Sequence, residues 1–209
     1  MKHKYFDRSV FIHINKTGGS SVEKALRIPF EHKTALEKIE ELGRASWDKK
    51  LTFTVVRNPW DKVVSHYHYR RKTNKTDLRD KPVEFSEWVK RAYGQQDAFY
   101  YDIPKMFMPQ MDWITDESGK ILVDEIIHFE NLAAEFDSVR RKLGKNVTLP
   151  HVKKSNRGDY QEYYDQETKE IVRNWFEPDI TRFGYQFQRA PEEECEVPVR
   201  APRKVARTS

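Results

Sequence analysis

A lysine, a threonine, two glycines and two serines follow one another at residues 16–21, KTGGSS. The run before them, at 10–14, is mostly apolar and β-branched, which is typical of a buried strand. After them, Val22, Ala25 and Leu26 recur at helical spacing. We therefore predict a turn from a strand into a helix. Such a turn binds anions, because the N–H groups and the positive dipole end of the helix face it.

The group bound at this turn is predicted to be a phosphate or a similarly shaped anion. The residues predicted to contact it are Lys16, Thr17, Gly18, Gly19, Ser20 and Ser21. Ser20 and Glu23 have the spacing of a capping box, which predicts that the helix begins at or next to Ser20. The lysine precedes the glycines, whereas the common nucleotide-binding P-loop, G-x-x-x-x-G-K-[ST], has it after them. The other interpretation is a polar turn without a ligand.

A second strand, turn and helix are predicted further along the chain. Residues 51–56, LTFTVV, read as a strand that ends at Arg57. Asn58 as the N-cap and Pro59 as the first helical residue then begin a helix. Because the carboxyl ends of parallel strands meet at one edge of a sheet, we expect Arg57 to lie beside the first turn. The alternative is that Arg57 is a surface salt-bridge partner.

Ser65 lies about two turns into this second helix, and its spacing leaves open whether its hydroxyl faces the same edge. The first turn would bind one phosphate, and Arg57 with the Ser65 hydroxyl would bind another. This arrangement predicts a ligand that carries two separated anionic groups. No cluster of metal ligands is indicated, so no metal is expected.

Composition predicts a folded domain. The 209 residues include 12 Phe, 10 Tyr and 5 Trp, although 34% of the residues are charged. The net charge of +5 is partly due to four basic residues near the C-terminus, Arg200, Arg203, Lys204 and Arg207. We expect one domain at 1–188 and a disordered basic tail at 189–209. The single cysteine, Cys195, excludes an intrachain disulfide and a multi-cysteine zinc site.

No run of apolar residues suggests a signal peptide or a membrane span, so a soluble, cytoplasmic protein is expected. No motif of an RNA- or DNA-binding module is found, and no nucleic-acid partner is expected. The sequence does not predict an oligomeric state.

Strands that alternate with helices predict an α/β fold: a three-layer, P-loop-like domain whose mainly parallel central sheet is flanked by helices. Further helices are expected at 35–42, 85–92, 132–143 and 171–176, the last of them stopped by Pro178. Residues 121–129 read as a short hairpin or one bulged strand. The irregular, aromatic stretch 95–113 could be a lid, a substrate wall or simple packing.

FIHINKTGGSSVEKAL, followed by TFTVVRNPWDKVVSHYHY, resembles the two cofactor signatures of sulfotransferases that use 3′-phosphoadenosine 5′-phosphosulfate (PAPS). The resemblance is strongest to the carbohydrate 2-O- and 6-O-sulfotransferases and their bacterial relatives. It extends more loosely through IIHFENL, LPHVKKSNRGDY and DITRFGYQF. It implies a sulfotransferase that acts on a hydroxyl acceptor, which would be a carbohydrate or a small metabolite.

The resemblance also implies residue roles. Residues 16–21 would hold the 5′-phosphosulfate, with Lys16 stabilising the charge on the leaving oxygen. Arg57 and Ser65 would hold the 3′-phosphate. A loop containing Ser155, Arg157 and Tyr160 would close over the nucleotide.

The acceptor hydroxyl must lose its proton, and a histidine with a pKa near neutrality suits that task. His32 matches the place of the catalytic histidine in carbohydrate 6-O-sulfotransferases, so it is our first candidate for the base. His13, inside the first strand, reads as a structural histidine. Other candidates are His66, His68, His128, His151, Glu31 and Glu130, the last of which reads better as a structural hydrogen-bond partner.

Two other functions compete with this interpretation. A P-loop kinase or nucleotide hydrolase would need a lysine after the glycines and an aspartate for magnesium, and neither is recognisable. A non-catalytic binder of polyanions would use the basic segments near residue 70 and in the tail.

Overall fold

A computed structural model of the chain describes residues 8–150 and 158–187. Three parallel strands form its sheet in the order β1-β2-β3, with Phe53 of β2 opposite Phe11 of β1. The strands are β1 (Ser9–Ile12), β2 (Leu51–Val56) and β3 (Glu125–His128). The predicted α/β fold with a parallel sheet flanked by helices is confirmed.

Nine α-helices in the described ranges surround the sheet and connect its strands. They are α1 (Gly19–Leu26), α2 (Ala35–Leu42), α3 (Arg44–Trp47), α4 (Pro59–Lys72), α5 (Phe85–Val89), α6 (Met111–Ile114), α7 (Leu132–Lys142), α8 (Gln166–Trp175) and α9 (Glu177–Phe183). A π-helical turn, Lys90–Gly94, extends α5. Short 3-10 helices lie at Lys75–Asp77, Pro104–Phe107, Phe129–Asn131 and Tyr160–Tyr163.

Helices cover both faces of the sheet. Successive side chains of a strand point to opposite faces, so each strand packs on both sides. On one face, Phe11 and Phe53 pack with α1 and α7. On the other, Ile12 and Val56 pack with α2, α3 and α6. A third cluster, rich in aromatic residues, joins α4, α5 and α8 beside the sheet. The aromatic residues of the core therefore lie mainly beside the sheet, in this third cluster.

The second strand-turn-helix unit folds as its local sequence predicts. The side-chain oxygen of Asn58 accepts a hydrogen bond from the Trp60 N–H at 3.1 Å, and Pro59 occupies the first position of α4. An asparagine cap followed by proline is a strong local signal, because the cap binds an orphan N–H and proline has none to lose.

The capping box predicted for Ser20 and Glu23 is wrong. The N-cap of α1 is Gly18, in the left-handed region with φ 86°, and no side chain caps the helix. The Glu23 carboxylate instead pairs with the Nδ1 atom of His13, 2.7 Å away. A buried tertiary partner has overridden the local pattern.

Two further expectations need correction. The segment 121–129 forms neither a hairpin nor a bulged strand: only β3 joins the sheet, and Ile121 makes an isolated bridge with Thr115. Pro178 does not end the helical region. It lies in the first turn of α9, where proline is tolerated because that N–H would be unbonded anyway.

The expected tail at 189–209 lies outside the described residues, as do Ser155, Arg157 and His151. Within 8–150 and 158–187, no helix has the length and apolar character that crossing a membrane requires.

Candidate active site

The turn between β1 and α1 is tightly folded. Lys16 has φ 65°, in the left-handed region that non-glycine residues rarely adopt. The hydroxyl of Thr17 donates to the Ile14 carbonyl at 2.8 Å, and Thr17 is fully buried. The Thr17 hydroxyl therefore closes the turn from inside, and none of the surface of this predicted ligand contact is open to a ligand.

Gly19 is required by a close neighbour. A Cβ atom at this position would lie 2.2 Å from Cδ2 of His13, a separation that no real Cβ contact reaches. The imidazole of His13 thus packs directly on the backbone where α1 begins. Only glycine allows this approach, which brings the strand end and the helix N-terminus together.

The Arg57 side chain connects the two predicted turns. Its Nη1 atom donates to the Lys16 carbonyl at 2.9 Å, and its Nε atom donates to Asp61 at 2.8 Å. The guanidinium carbon lies 4.0 Å from the centre of the Phe129 ring. Arg57 forms a salt bridge with Asp61, but it is buried and is therefore not the surface residue of the alternative interpretation.

One face of α4 settles the orientation of Ser65, which spacing alone had left open. Asp61, Ser65 and Tyr69 are four residues apart and therefore lie on the same helix face. Asp61 binds Arg57, and the Lys16 ammonium lies 4.4 Å from the centre of the Tyr69 ring. Ser65 is half-buried between these two contacts. The structure therefore brings Lys16 and Arg57 together and places Ser65 on the face of α4 that carries their partners Tyr69 and Asp61.

The contacts of Asp61 and Tyr69 were not identified from the sequence. Asp61 follows Arg57 by four residues, so helical spacing could have indicated an ion pair. No local signal connects Tyr69 with Lys16, which is 53 positions away in the chain.

Tyr160 lies near the Arg57 turn. Its hydroxyl donates to the Phe187 carbonyl. Burial raises the pKa of Tyr160 to about 12, and the negative charge of Asp61 adds to the increase, whereas a hydrogen bond with Asn58 opposes it.

Glu130 has the structural role that was expected of it. One carboxylate oxygen accepts the backbone N–H of Asn58 at 2.7 Å, and the other accepts the Tyr185 hydroxyl at 3.3 Å. Glu130 therefore holds the start of α4 against the C-terminal segment.

The His32 ring lies at the carboxyl end of β1. Its Nδ1 atom is 2.8 Å from the His13 carbonyl, and its ring centre is 4.5 Å from that of His13. A carbonyl can only accept, so Nδ1 carries the hydrogen and Nε2 of the neutral ring carries the lone pair. Burial lowers the pKa of His32, the His13 carbonyl opposes that change, and the charge of Lys105 lowers the pKa further. The ring is thus kept neutral with Nε2 able to accept a proton.

His13 is a structural histidine, as expected. Burial lowers its pKa to about 3, and the neighbouring His32 and Lys16 add to the decrease. Burial also raises the pKa of its partner Glu23 to about 7. Near neutral pH the imidazole is therefore neutral, and its hydrogen bond to Glu23 fixes the ring between α1 and His32.

The other described histidines are held by structural contacts. His66 is buried against Trp88 and Phe107, and burial lowers its pKa well below the usual value. The Nε2 atom of His68 is 2.9 Å from the Tyr163 hydroxyl, and His128 pairs with a glutamate of α7 at 3.2 Å. His32, by contrast, contacts the backbone at the carboxyl end of β1.

A shallow groove lies at the opposite, amino edge of the sheet. It is lined by charged, polar and apolar residues that include Lys50, Thr52, Lys120 and Asp124. None of the predicted site residues lines it, so we place the candidate site at the carboxyl edge. No group of three or more metal-binding side chains lies within the described part of the chain.

Comparison with known proteins decides the family. The model of the "Sulfotransferase family" matches residues 4–186. The chain belongs to the sulfotransferase family. A curated relative of this sulfotransferase is an uncharacterized protein of Archaeoglobus fulgidus, 32% identical over 104 residues, which are 49% of this chain and 75% of the relative. No solved structure matches the chain. As a family member, the protein is an enzyme that transfers sulfuryl groups.

Proposed function

We propose that this sulfotransferase moves a sulfuryl group from PAPS to a hydroxyl of a carbohydrate or a small metabolite, in the cytoplasm. The observation that carries the proposal is the hydrogen bond from the Arg57 guanidinium to the Lys16 carbonyl, 2.9 Å long. It joins two cationic turns at one sheet edge, which suits a ligand with two separated anionic groups. A screen for sulfated products with labelled donor would identify the acceptor.

The first turn fits the 5′ end of the donor, as a phosphate-binding loop of the P-loop type. Backbone N–H groups at the start of α1, with the hydroxyls of Ser20 and Ser21, supply hydrogen-bond donors. The left-handed conformations of Lys16 and Gly18 fold the backbone tightly there. Lys16 supplies a full positive charge where negative charge grows during transfer. When bound, the donor supplies a sulfuryl group on a nucleotide leaving group.

Arg57 and Ser65 fit the 3′-phosphate. A guanidinium has five donors in a planar fork that matches phosphate oxygens, and a serine hydroxyl adds one more. Tyr160 lies close enough to this turn for the charge of Asp61 to act on its pKa. By resemblance, Ser155 and Arg157 complete the loop that contains Tyr160.

His32 is the proposed base. Its Nε2 lone pair can accept the proton of an acceptor hydroxyl, and the hydrogen bond from Nδ1 to the His13 carbonyl fixes the ring and its tautomer. Because its pKa is lowered, His32 is neutral at neutral pH and needs no prior deprotonation.

Calorimetric titration tests the nucleotide assignment. We expect adenosine 3′,5′-bisphosphate, the product left when the donor loses its sulfuryl group, to bind tightly without metal and in preference to ATP with magnesium. Lys16→Ala and Arg57→Ala should each weaken this binding by about tenfold or more, because each removes a charge-assisted contact. Lys49→Ala, at an exposed lysine before β2, is the matched control and should bind like the wild type.

Preference for ATP with magnesium would overturn the proposal in favour of a kinase or nucleotide hydrolase. Binding of polyanions with no preference for the bisphosphate would favour a non-catalytic binding protein.

A further inference from the structure

Gln110 binds both backbone polar groups of Arg57. Its side-chain oxygen accepts the Arg57 N–H at 2.8 Å, and its side-chain nitrogen donates to the Arg57 carbonyl at 2.9 Å. Gln110 is fully buried, at 0% exposure. It lies just before α6, in the irregular stretch whose role the sequence left open.

Asp179 of α9 holds Gln110 in turn. One carboxylate oxygen accepts the Gln110 backbone N–H at 2.8 Å and its side-chain nitrogen at 3.1 Å. The other oxygen accepts the Met111 N–H at 2.8 Å. Asp179 is also fully buried. Both oxygens of the carboxylate are therefore engaged, and the Gln110 amide has one defined orientation.

Arg57 needs such a partner because of its position. The β2–β3 ladder ends at Val56, opposite His128, so the backbone groups of Arg57 lie just beyond it. Buried backbone groups must find partners, and a glutamine side chain supplies one donor and one acceptor, as a neighbouring strand would. The Arg57 guanidinium itself contacts Asp61 and the Lys16 carbonyl.

We propose that Gln110 and Asp179 are positioning residues for the Arg57 guanidinium, and that they set how strongly this enzyme recognises the 3′-phosphate of its nucleotide. The inference rests on the proposed function. Gln110 fixes the backbone from which the side chain extends, so losing it lets the guanidinium move relative to the first turn. A bidentate contact to phosphate is sensitive to such a displacement.

The test uses two nucleotides that differ only in the 3′-phosphate. The ratio of the Kd of adenosine 5′-monophosphate to the Kd of adenosine 3′,5′-bisphosphate isolates recognition of that group. A variant that merely lowers the folded fraction weakens both affinities equally and leaves the ratio unchanged.

Gln110→Leu removes both bonds to Arg57 with little change in volume, and we expect the ratio to fall by about tenfold. Thr52→Val is the matched control. Thr52 is also buried and lies on β2, at the end opposite Arg57, and Thr52→Val loses the hydroxyl contacts with Asp124. This control should lower stability and retain the wild-type ratio.

Asp179→Asn is the second variant, in case Gln110→Leu does not fold. An asparagine amide places an N–H against either the Gln110 donors or the Met111 N–H, so the ratio should fall in the same direction by a smaller factor. If a folded Gln110→Leu or Asp179→Asn protein keeps the wild-type ratio, the inference is wrong. If the wild type itself does not prefer the bisphosphate, the proposed function fails instead.

Discussion

At the scale of single residues, the candidate site depends on which imidazole can accept a proton. His32 and His13 lie 4.5 Å apart between ring centres, but their environments differ. His13 is 4% exposed and its Nδ1 atom is bonded to Glu23. The Nδ1 atom of His32 is bonded to a carbonyl, which leaves the lone pair on Nε2. One ring of the pair is therefore structural, and the other is suited to general-base catalysis.

His32→Asn should abolish transfer and spare nucleotide binding. The asparagine amide can still donate to the His13 carbonyl but cannot act as a base, so kcat should fall by about a hundredfold or more. His128→Asn, at the end of β3, is the control and should keep its kcat. Steady-state rates and calorimetry measure the two effects. Full turnover in His32→Asn would exclude His32 as the base.

The pH dependence of kcat in the wild type also tests His32 as the base. The base must be neutral, and the pKa of His32 is lowered from 6.5 by burial. We therefore expect kcat to fall only when the pH drops below 6.5. A midpoint above that value would contradict the assignment.

At the scale of elements, the start of α2 anchors the segment that carries His32. Thr34 accepts the Glu37 N–H at 3.2 Å, and the Glu37 carboxylate accepts the Thr34 N–H at 2.7 Å. This capping box begins two residues after His32. The cap therefore fixes both the helix and the end of the loop before it.

Thr34→Ala should lower the free energy of unfolding by about 1 kcal/mol, because one helix N–H loses its partner. It should also reduce kcat several-fold, because the loop that holds His32 is loosened. Asp165→Ala is the matched control, since Asp165 and Thr168 form the same kind of box at α8. It should cost similar stability, measured by urea unfolding, and leave kcat unchanged. Equal kcat losses in both variants would show that α2 has no specific role.

Local signals predicted the elements better than they predicted the contacts between them. Asn58 and Pro59 marked the start of α4 because a cap and its helix are neighbours in the chain. The Glu23 pattern was misleading because the partner of Glu23 is His13, a buried histidine directly after β1, rather than the helix N-terminus. Gln110 and Asp179 gave no signal, since the bonds joining them to Arg57 and to each other span 53 and 69 positions. Helix boundaries follow from neighbouring residues, whereas such a network exists only after folding.

At the scale of the whole molecule, the carboxyl edge of the sheet gathers positive charge from distant parts of the chain. Lys16 and Arg57 meet there, and α4 carries Lys62 and Arg70 inward on its buried face. The Arg70 guanidinium pairs with Asp102 at 2.8 Å. A concentration of cations suits an anionic donor, but it makes the burial of each ammonium among them costly.

The buried ammonium of Lys62 gives a prediction about stability. It is 1% exposed, its Nζ atom has no hydrogen-bond partner within the described residues, and it lies 5.1 Å from the centre of the Phe176 ring. Burial lowers its pKa to about 8, the carboxylate of Asp179 opposes that change, and the charges of Arg57 and Lys16 lower the pKa further. The folded protein thus favours the neutral amine.

Between pH 8 and pH 10.5 the unfolded chain binds more protons at Lys62 than the folded protein does, so the free energy of unfolding should rise with pH in that range. Below pH 8 the charged form is present in both states and its burial costs the most. Lys62→Met should therefore raise the free energy of unfolding at pH 7 by on the order of 2 kcal/mol and remove the rise at higher pH. Urea unfolding at a series of pH values measures both. Lys49→Met, at an exposed lysine, should keep the wild-type rise in the free energy of unfolding. If Lys62→Met also keeps that rise, groups other than Lys62 cause it.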